Sequence, residues 1–164
     1  MNSNPNSGTT SNYGTDATGE AVRQLNSLLR GEISAAETYK MAIDKVAQNE
    51  VTDDVSTLRQ MQEEHGRAAQ MLRGRIRALG GEASDSSGAW GAWAQTVQGT
   101  MNLFGDSAAL KSLKEGEEHG LKDYREALDD VDANSADLIS SEMIPLQCRH
   151  IDLLDRLINS AGRA

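Results

Sequence analysis

The chain has 164 residues, enough for one domain with a real core; 38% are apolar and 25% charged, which excludes a chain disordered throughout. A net charge of −9 without any basic stripe excludes the usual nucleic-acid binder. The single cysteine, Cys148, rules out an internal disulfide and a cysteine-based zinc site and suits a reducing, cytoplasmic setting, and no apolar run approaches the roughly 20 residues that cross a bilayer. Residues 1–19 are rich in Asn, Ser, Thr and Gly and lack the apolar segment of a secretory signal. They read as a disordered tail ahead of one helical domain over residues 20–162.

Helical periodicity begins near Glu20, whose charge suits the positive end of a helix. Val22, Leu25, Leu29, Ala36, Tyr39, Ile43 and Val46 fall at alternating spacings of three and four, the seam of a helix reaching about Gln48. A turn over Asn49–Thr52 precedes a second seam of Val55, Leu58, Ala69, Leu72, Ile76 and Leu79, which Gly80-Gly81 ends. Glu82–Gly88 is polar and reads as a loop. Trp90, Trp93, Val97, Met101 and Phe104 then recur at helical spacing, predicting a short amphipathic helix. A third long helix carries Leu110, Leu113, Tyr124, Ala127 and Val131. After a turn near Asp132–Ser135, a fourth carries Met143, Leu146, Leu153 and Leu157, with Pro145 freeing the carbonyl of Ser141. Nothing alternates with the period of a strand. Short, long and short connections predict an all-α, four-helix bundle whose long crossover joins helices two and three.

The chain repeats itself at an offset of 85 residues without a gap. Gly31-Glu32 returns as Gly116-Glu117, Tyr39 as Tyr124, and Gln62-x-x-His65 as Gln147-x-x-His150. Two copies of one hairpin predict a pseudo-two-fold axis that brings equivalent residues face to face. The repeated polar residues occupy seam positions where Leu is expected, near mid-helix. Isolated charges buried there are unfavourable, so Glu32, His65, Glu117 and His150 need partners or a metal. Carboxylate oxygen and imidazole nitrogen suit Fe, Mn or Zn. Gln62, Gln147, Tyr39 and Tyr124 fall around them as supporting groups. Glu37, Glu63, Glu64, Glu118 and His119 fall off the seams and are expected in solvent, although a register one residue out would turn Glu64 inward.

The segment Leu25–Tyr39, with Glu32 at a ligand position, and His150-Ile151-Asp152-x-Leu154 resemble the first and fourth helices of bacterioferritin-like proteins. Gly116-Glu117, the Trp-containing crossover and the Tyr124 segment look more like a bacterial ferritin-like family known only as a domain of unknown function. The resemblance spans roughly Glu20–Ser160 and implies a ferritin-like fold with metal ligands Glu32, His65, Glu117 and His150. Dinuclear carboxylate bundles, however, take a bridging Glu from each Glu-x-x-His pair. Gln62 and Gln147 stand at both bridging positions, which argues against a standard di-iron centre.

Two functional readings are therefore open: a metal site degenerate relative to a di-iron centre, or a metal-free bundle with a structural, stress-related or interaction role. The resemblance leaves enzymatic activity undecided and allows a homo-oligomer. The stripe of Trp90, Trp93 and Phe104 is expected to cover the bundle from within the chain, leaving a partner or membrane surface as the weaker alternative.

Overall fold

Apolar seams and explicit stop signals make this an all-α chain. A computed structural model describes residues 12–46, 53–92, 95 and 106–161, and no strand occurs among them. Helix α1 spans Asn12–Val46 and α2 spans Asp53–Ala78; a 3-10 turn lies at Gly88–Trp90 and α3 spans Asp106–Ala127. Helix α4 (Ala133–Leu138) runs through a π-helical segment (Ile139–Met143) into α5 (Ile144–Ala161).

Helix α1 begins eight residues before the expected start at Glu20, inside the segment read as a tail. Once a long helix is nucleated, each further residue adds a hydrogen bond at little entropic cost, and Asn12–Gly19 contains no proline to prevent it. Helix α2 ends as its glycines predict. Gly80 takes φ 77°, its N–H bonds Arg77 O at 2.9 Å, and the Gly81 N–H bonds Ile76 O at 3.0 Å, the pattern of a Schellman cap. A Cβ on Gly81 would lie 2.6 Å from Val22 Cγ1, so this turn can press against α1 only as glycine. Asp132 caps α4 by accepting from the Asn134 and Ser135 amides, and Arg75 of α2 reaches Asp132 Oδ1 at 2.5 Å. The π-helical segment sits directly before Pro145, where the ring removes a donor and crowds the Ser141 carbonyl; the wider turn accommodates the mismatch.

The core forms two apolar clusters. One joins Leu25 and Leu29 of α1, Leu72 and Ile76 of α2, Tyr124 and Ala127 of α3, and Ile139 and Met143 of the π-helical segment. The other joins Tyr39 and Ile43 of α1, Val55 and Leu58 of α2, Leu110 and Leu113 of α3, and Leu154 and Leu157 of α5. Helices α1 and α2 are thus antiparallel, as are α3 and α5, whereas α2 and α3 run the same way. The connection between α2 and α3 must therefore travel the length of the molecule.

Its described part lies along α1. Asn26 Nδ2 donates to Glu82 O at 2.8 Å, and Asn26 Oδ1 accepts from the Ser84 amide at 2.8 Å. Ser34 Oγ donates to Trp90 O at 2.7 Å. Trp90 is half-buried and its ring meets His119 at 5.2 Å, which is packing within the chain. Trp93, Val97, Met101 and Phe104 of the expected amphipathic helix lie outside the described residues, as does the expected turn at 49–52. Among the described residues no helix is long and apolar enough to cross a membrane.

Candidate functional site

Between the two apolar clusters lies a polar belt. Glu32 on α1, Glu64 and His65 on α2, Glu117 on α3, and Gln147 and His150 on α5 are all buried there. Each lies on an apolar seam, flanked within two helical turns by core residues such as Leu29 and Tyr39 around Glu32 and Met61 and Ala69 around His65, so the seams carry these side chains inward with them.

The tyrosines bond across the halves. Tyr39 OH donates to Glu117 Oε1 at 2.5 Å, and Tyr124 OH donates to Glu32 Oε1 at 2.6 Å. Burial first, and then the adjacent carboxylates, push both phenols well above their usual range, so they remain donors. His65 lies between the two glutamates, with Nδ1 2.8 Å from Glu32 Oε2 and Nε2 3.0 Å from Glu117 Oε1. Carboxylates only accept, so both ring nitrogens carry protons and His65 is an imidazolium. Burial opposes that charge, but Glu117 and Glu32 overcome it and raise the pKa to about 10. Burial likewise acts to raise Glu117, yet His65 and His150 bring it down to about 2.

His150 is held differently. Its Nε2 lies 2.7 Å from Glu64 Oε2, which requires a proton on Nε2. Its Nδ1 is fully buried, 3.5 Å from Glu117 Oε2 and without hydrogen-bond geometry. It is the one buried side-chain polar atom without a hydrogen-bond partner among the described residues. Glu64 also accepts from Gln60 at 3.1 Å and pairs with Arg149 at 3.0 Å. Despite the desolvation that opposes ionisation, these donors hold its pKa near 2.

The expectation that Glu64 faces solvent is therefore wrong: its side chain is only 9% exposed. Helix α2 is rotated slightly from the register read off its leucines, which turns Glu64 inward and leaves Gln62 half-buried, with no hydrogen bond to either central carboxylate. A signal for Glu64 was present in the sequence. The offset of 85 aligns it with Arg149, and opposite charges at equivalent positions are what a two-fold axis would bring together.

Gln147, the equivalent of Gln62, does join the belt. Its Nε2 donates to Glu117 O at 3.0 Å and also to Glu117 Oε2. Gly120 leaves room for it, since a Cβ there would lie 2.9 Å from Gln147 Nε2. The equivalent position in the first half is Ala35, which carries a methyl where Gly120 has none. Glu37, Glu63, Glu118 and His119 are exposed as expected, although Glu37 accepts from Ser87 Oγ at 2.9 Å and His119 packs on Trp90.

Of the four residues read as ligands, His65, Glu117 and His150 converge: one donor atom from each falls within 4.8 Å of the others. Glu32 lies outside this triangle and reaches it through His65. Two imidazoles and a carboxylate form a donor set suited to borderline divalent ions, and carboxylates on the outer nitrogens orient such rings. Glu64 stands in that relation to His150 and Glu32 to His65.

Comparison with curated proteins and with solved structures found no match. The profile of a domain of unknown function (DUF2383) matches residues 20–130, a stretch that carries Glu32, Glu64, His65 and Glu117 and ends before Gln147 and His150. Because that stretch is more than half of the chain, the protein belongs to this family.

Proposed function

We propose that the chain is a ferritin-like four-helix bundle, built from two copies of one hairpin, that binds a single divalent transition metal through His65, Glu117 and His150, with Glu32 within reach as a further carboxylate. The fold reading is supported by the ungapped repeat and by the exchanged Tyr39–Glu117 and Tyr124–Glu32 bonds, which have the reciprocity of a two-fold axis. The observation that carries the metal reading is His150 Nδ1. With Nε2 committed to Glu64, Nδ1 is left buried 3.5 Å from Glu117 Oε2 without a hydrogen bond. A buried polar atom without a partner is costly to maintain, and coordination of a metal ion would satisfy it.

The chain's own groups define what loading requires. His65 must give up a proton before its nitrogen can serve as a ligand, so uptake releases a proton and strengthens as pH rises. Glu117 is already ionised. Tyr39 and Gln147 hold its carboxylate in position. Glu32, Glu64 and Glu117 together supply three negative charges, one more than the seam pattern suggested. The metal would supply Lewis acidity, and redox capacity if it is iron or manganese.

Elemental analysis of protein purified from Fe-, Mn- and Zn-replete medium tests this. Near-stoichiometric metal in the wild type, lost in His150→Ala and in His65→Ala, is the expected result. A second reading is favoured by His65 alone: its two charge-assisted hydrogen bonds close a network that fixes helix register without chemistry. Wild-type protein free of metal, with both variants merely less stable, would establish that reading instead.

A further inference from the structure

A cavity of about 70 Å³ runs between α1 and α3, larger than a single water needs, with Glu32, Glu117 and His65 among its lining residues. Gly31 and Gly116 also line it, each directly preceding one of the glutamates. Glycine inside a helix is unfavourable, so two such residues at equivalent positions call for a physical reason. Close helix packing is not the reason at Gly31, because a Cβ built there meets nothing within 4 Å. What the missing side chain leaves is open space in front of Glu32. At the outer end the cavity reaches half-exposed His119 and Asp123. Trp90 spans the mouth, tied to α1 through Ser34 and packed on α3 through His119.

We propose that this cleft is the entrance to the buried cluster, kept open by Gly31 and Gly116 and partly covered by Trp90, and that it admits divalent cations. The carboxylates of Glu32, Glu117 and Asp123 line it against His65 and His119, a negative wall that favours a cation and disfavours an anion. His150, whose Nδ1 has no partner, stands behind Glu117 at the inner end, where an arriving ion would find it. The choice of a cation rests on the metal reading above; the cleft as an entrance does not.

Gly31→Leu tests both, because it narrows the opening and replaces no ligand. The added Cβ enters free space and the helix gains propensity, so the variant should melt no lower than the wild type. An entrance controls rates rather than equilibrium. Stopped-flow uptake and chelator-driven release of Co²⁺ should both slow by about tenfold or more in Gly31→Leu, with Kd unchanged, and both should quicken in Trp90→Ala. Unchanged rates, or a changed Kd at unchanged uptake rate, would overturn the proposal. Deuterium exchange at the ring C–H of His65, followed by mass spectrometry on metal-free protein, reads the same opening independently and should slow in Gly31→Leu. If the wild type takes up no Co²⁺, the cation is overturned along with the metal reading. Exchange at His65 then decides the cleft: slowing in Gly31→Leu upholds an entrance, and no change eliminates it.

Discussion

The α1–α2 pair and the α3–α5 pair carry the same Glu, Tyr and His at equivalent positions, yet they use their histidines differently. His65 is clamped between two carboxylates and has both nitrogens occupied. His150 has one nitrogen on Glu64 and one without a partner. The shared residues build the cluster, and the few that differ break its symmetry. Glu64 against Arg149 decides which histidine receives an extra carboxylate, and Gly120, where the first half has Ala35, leaves the room in which Gln147 reaches Glu117. One histidine is thereby locked in an ion pair that spans both halves, and the other keeps a buried ring nitrogen without a hydrogen bond.

The sharpest way to break this comparison is to remove each histidine in turn. His65→Ala leaves Glu32 and Glu117 buried and facing each other without a cation, and should cost about 3–5 kcal/mol in metal-free buffer. His150→Ala leaves Glu64 with Arg149 and Gln60, and should cost about 1–3 kcal/mol. Urea unfolding gives both values, and equal losses would mean that the two histidines are not distinct in kind.

A second test uses pH on the same metal-free protein. His65 has a folded pKa of about 10 against an ordinary 6.5, so its contribution is complete below pH 6.5 and fades as pH rises towards 10. Glu117 and Glu64 run the other way, from an ordinary 4.5 down to about 2, so their contribution is present above pH 4.5 and is lost as pH falls towards 2. Stability should therefore decline on both sides of a plateau near pH 5–6, and His65→Gln should abolish the alkaline decline while His150→Gln preserves it. An alkaline decline that survives in His65→Gln would assign it to some other group.

The smallest effect concerns the glutamines. Gly120→Ala should displace Gln147 from Glu117, and its net cost should be about 1 kcal/mol because the helix gains propensity as the hydrogen bond is lost. Ala35→Gly opens the equivalent space in the first half and should let Gln62 approach Glu32, visible as a new protected side-chain amide in NMR spectra. If Gln147 keeps its protected amide in Gly120→Ala, the methyl at position 35 does not explain why Gln62 stays out.

Most of this architecture is legible in the sequence because it depends on period and punctuation. Leucine spacing marks the long helices, Gly80 marks the end of α2, and a polar residue in an apolar seam stands out as Glu32, His65, Glu117 and His150 do. The repeat marks Tyr39 and Tyr124 as supporting groups, while their crossed bonds to Glu117 and Glu32 emerge from the packing. What escapes is rotation. Glu64 and His65 are adjacent in the chain and point about 100° apart on an ideal helix. Whether Gln62 or Glu64 turns inward depends on a small rotation of α2 against α5, which leucine periodicity does not resolve. Gln62 and Gln147 share the Gln-x-x-His spacing, and which of them reaches a glutamate is visible only once the helices are packed.

The crossed tyrosine–glutamate bonds have a further consequence if the chain is a duplicated hairpin. Each half completes the other's carboxylate, so a single hairpin would have to pair with a second copy of itself. In such a homodimer position 64 and position 149 would be the same residue, and the contact now made by Glu64 with Arg149 would set like against like. Covalent fusion removes that constraint. The two copies can then accumulate opposite charges at a shared contact, and an originally equal pair of histidines is free to specialise.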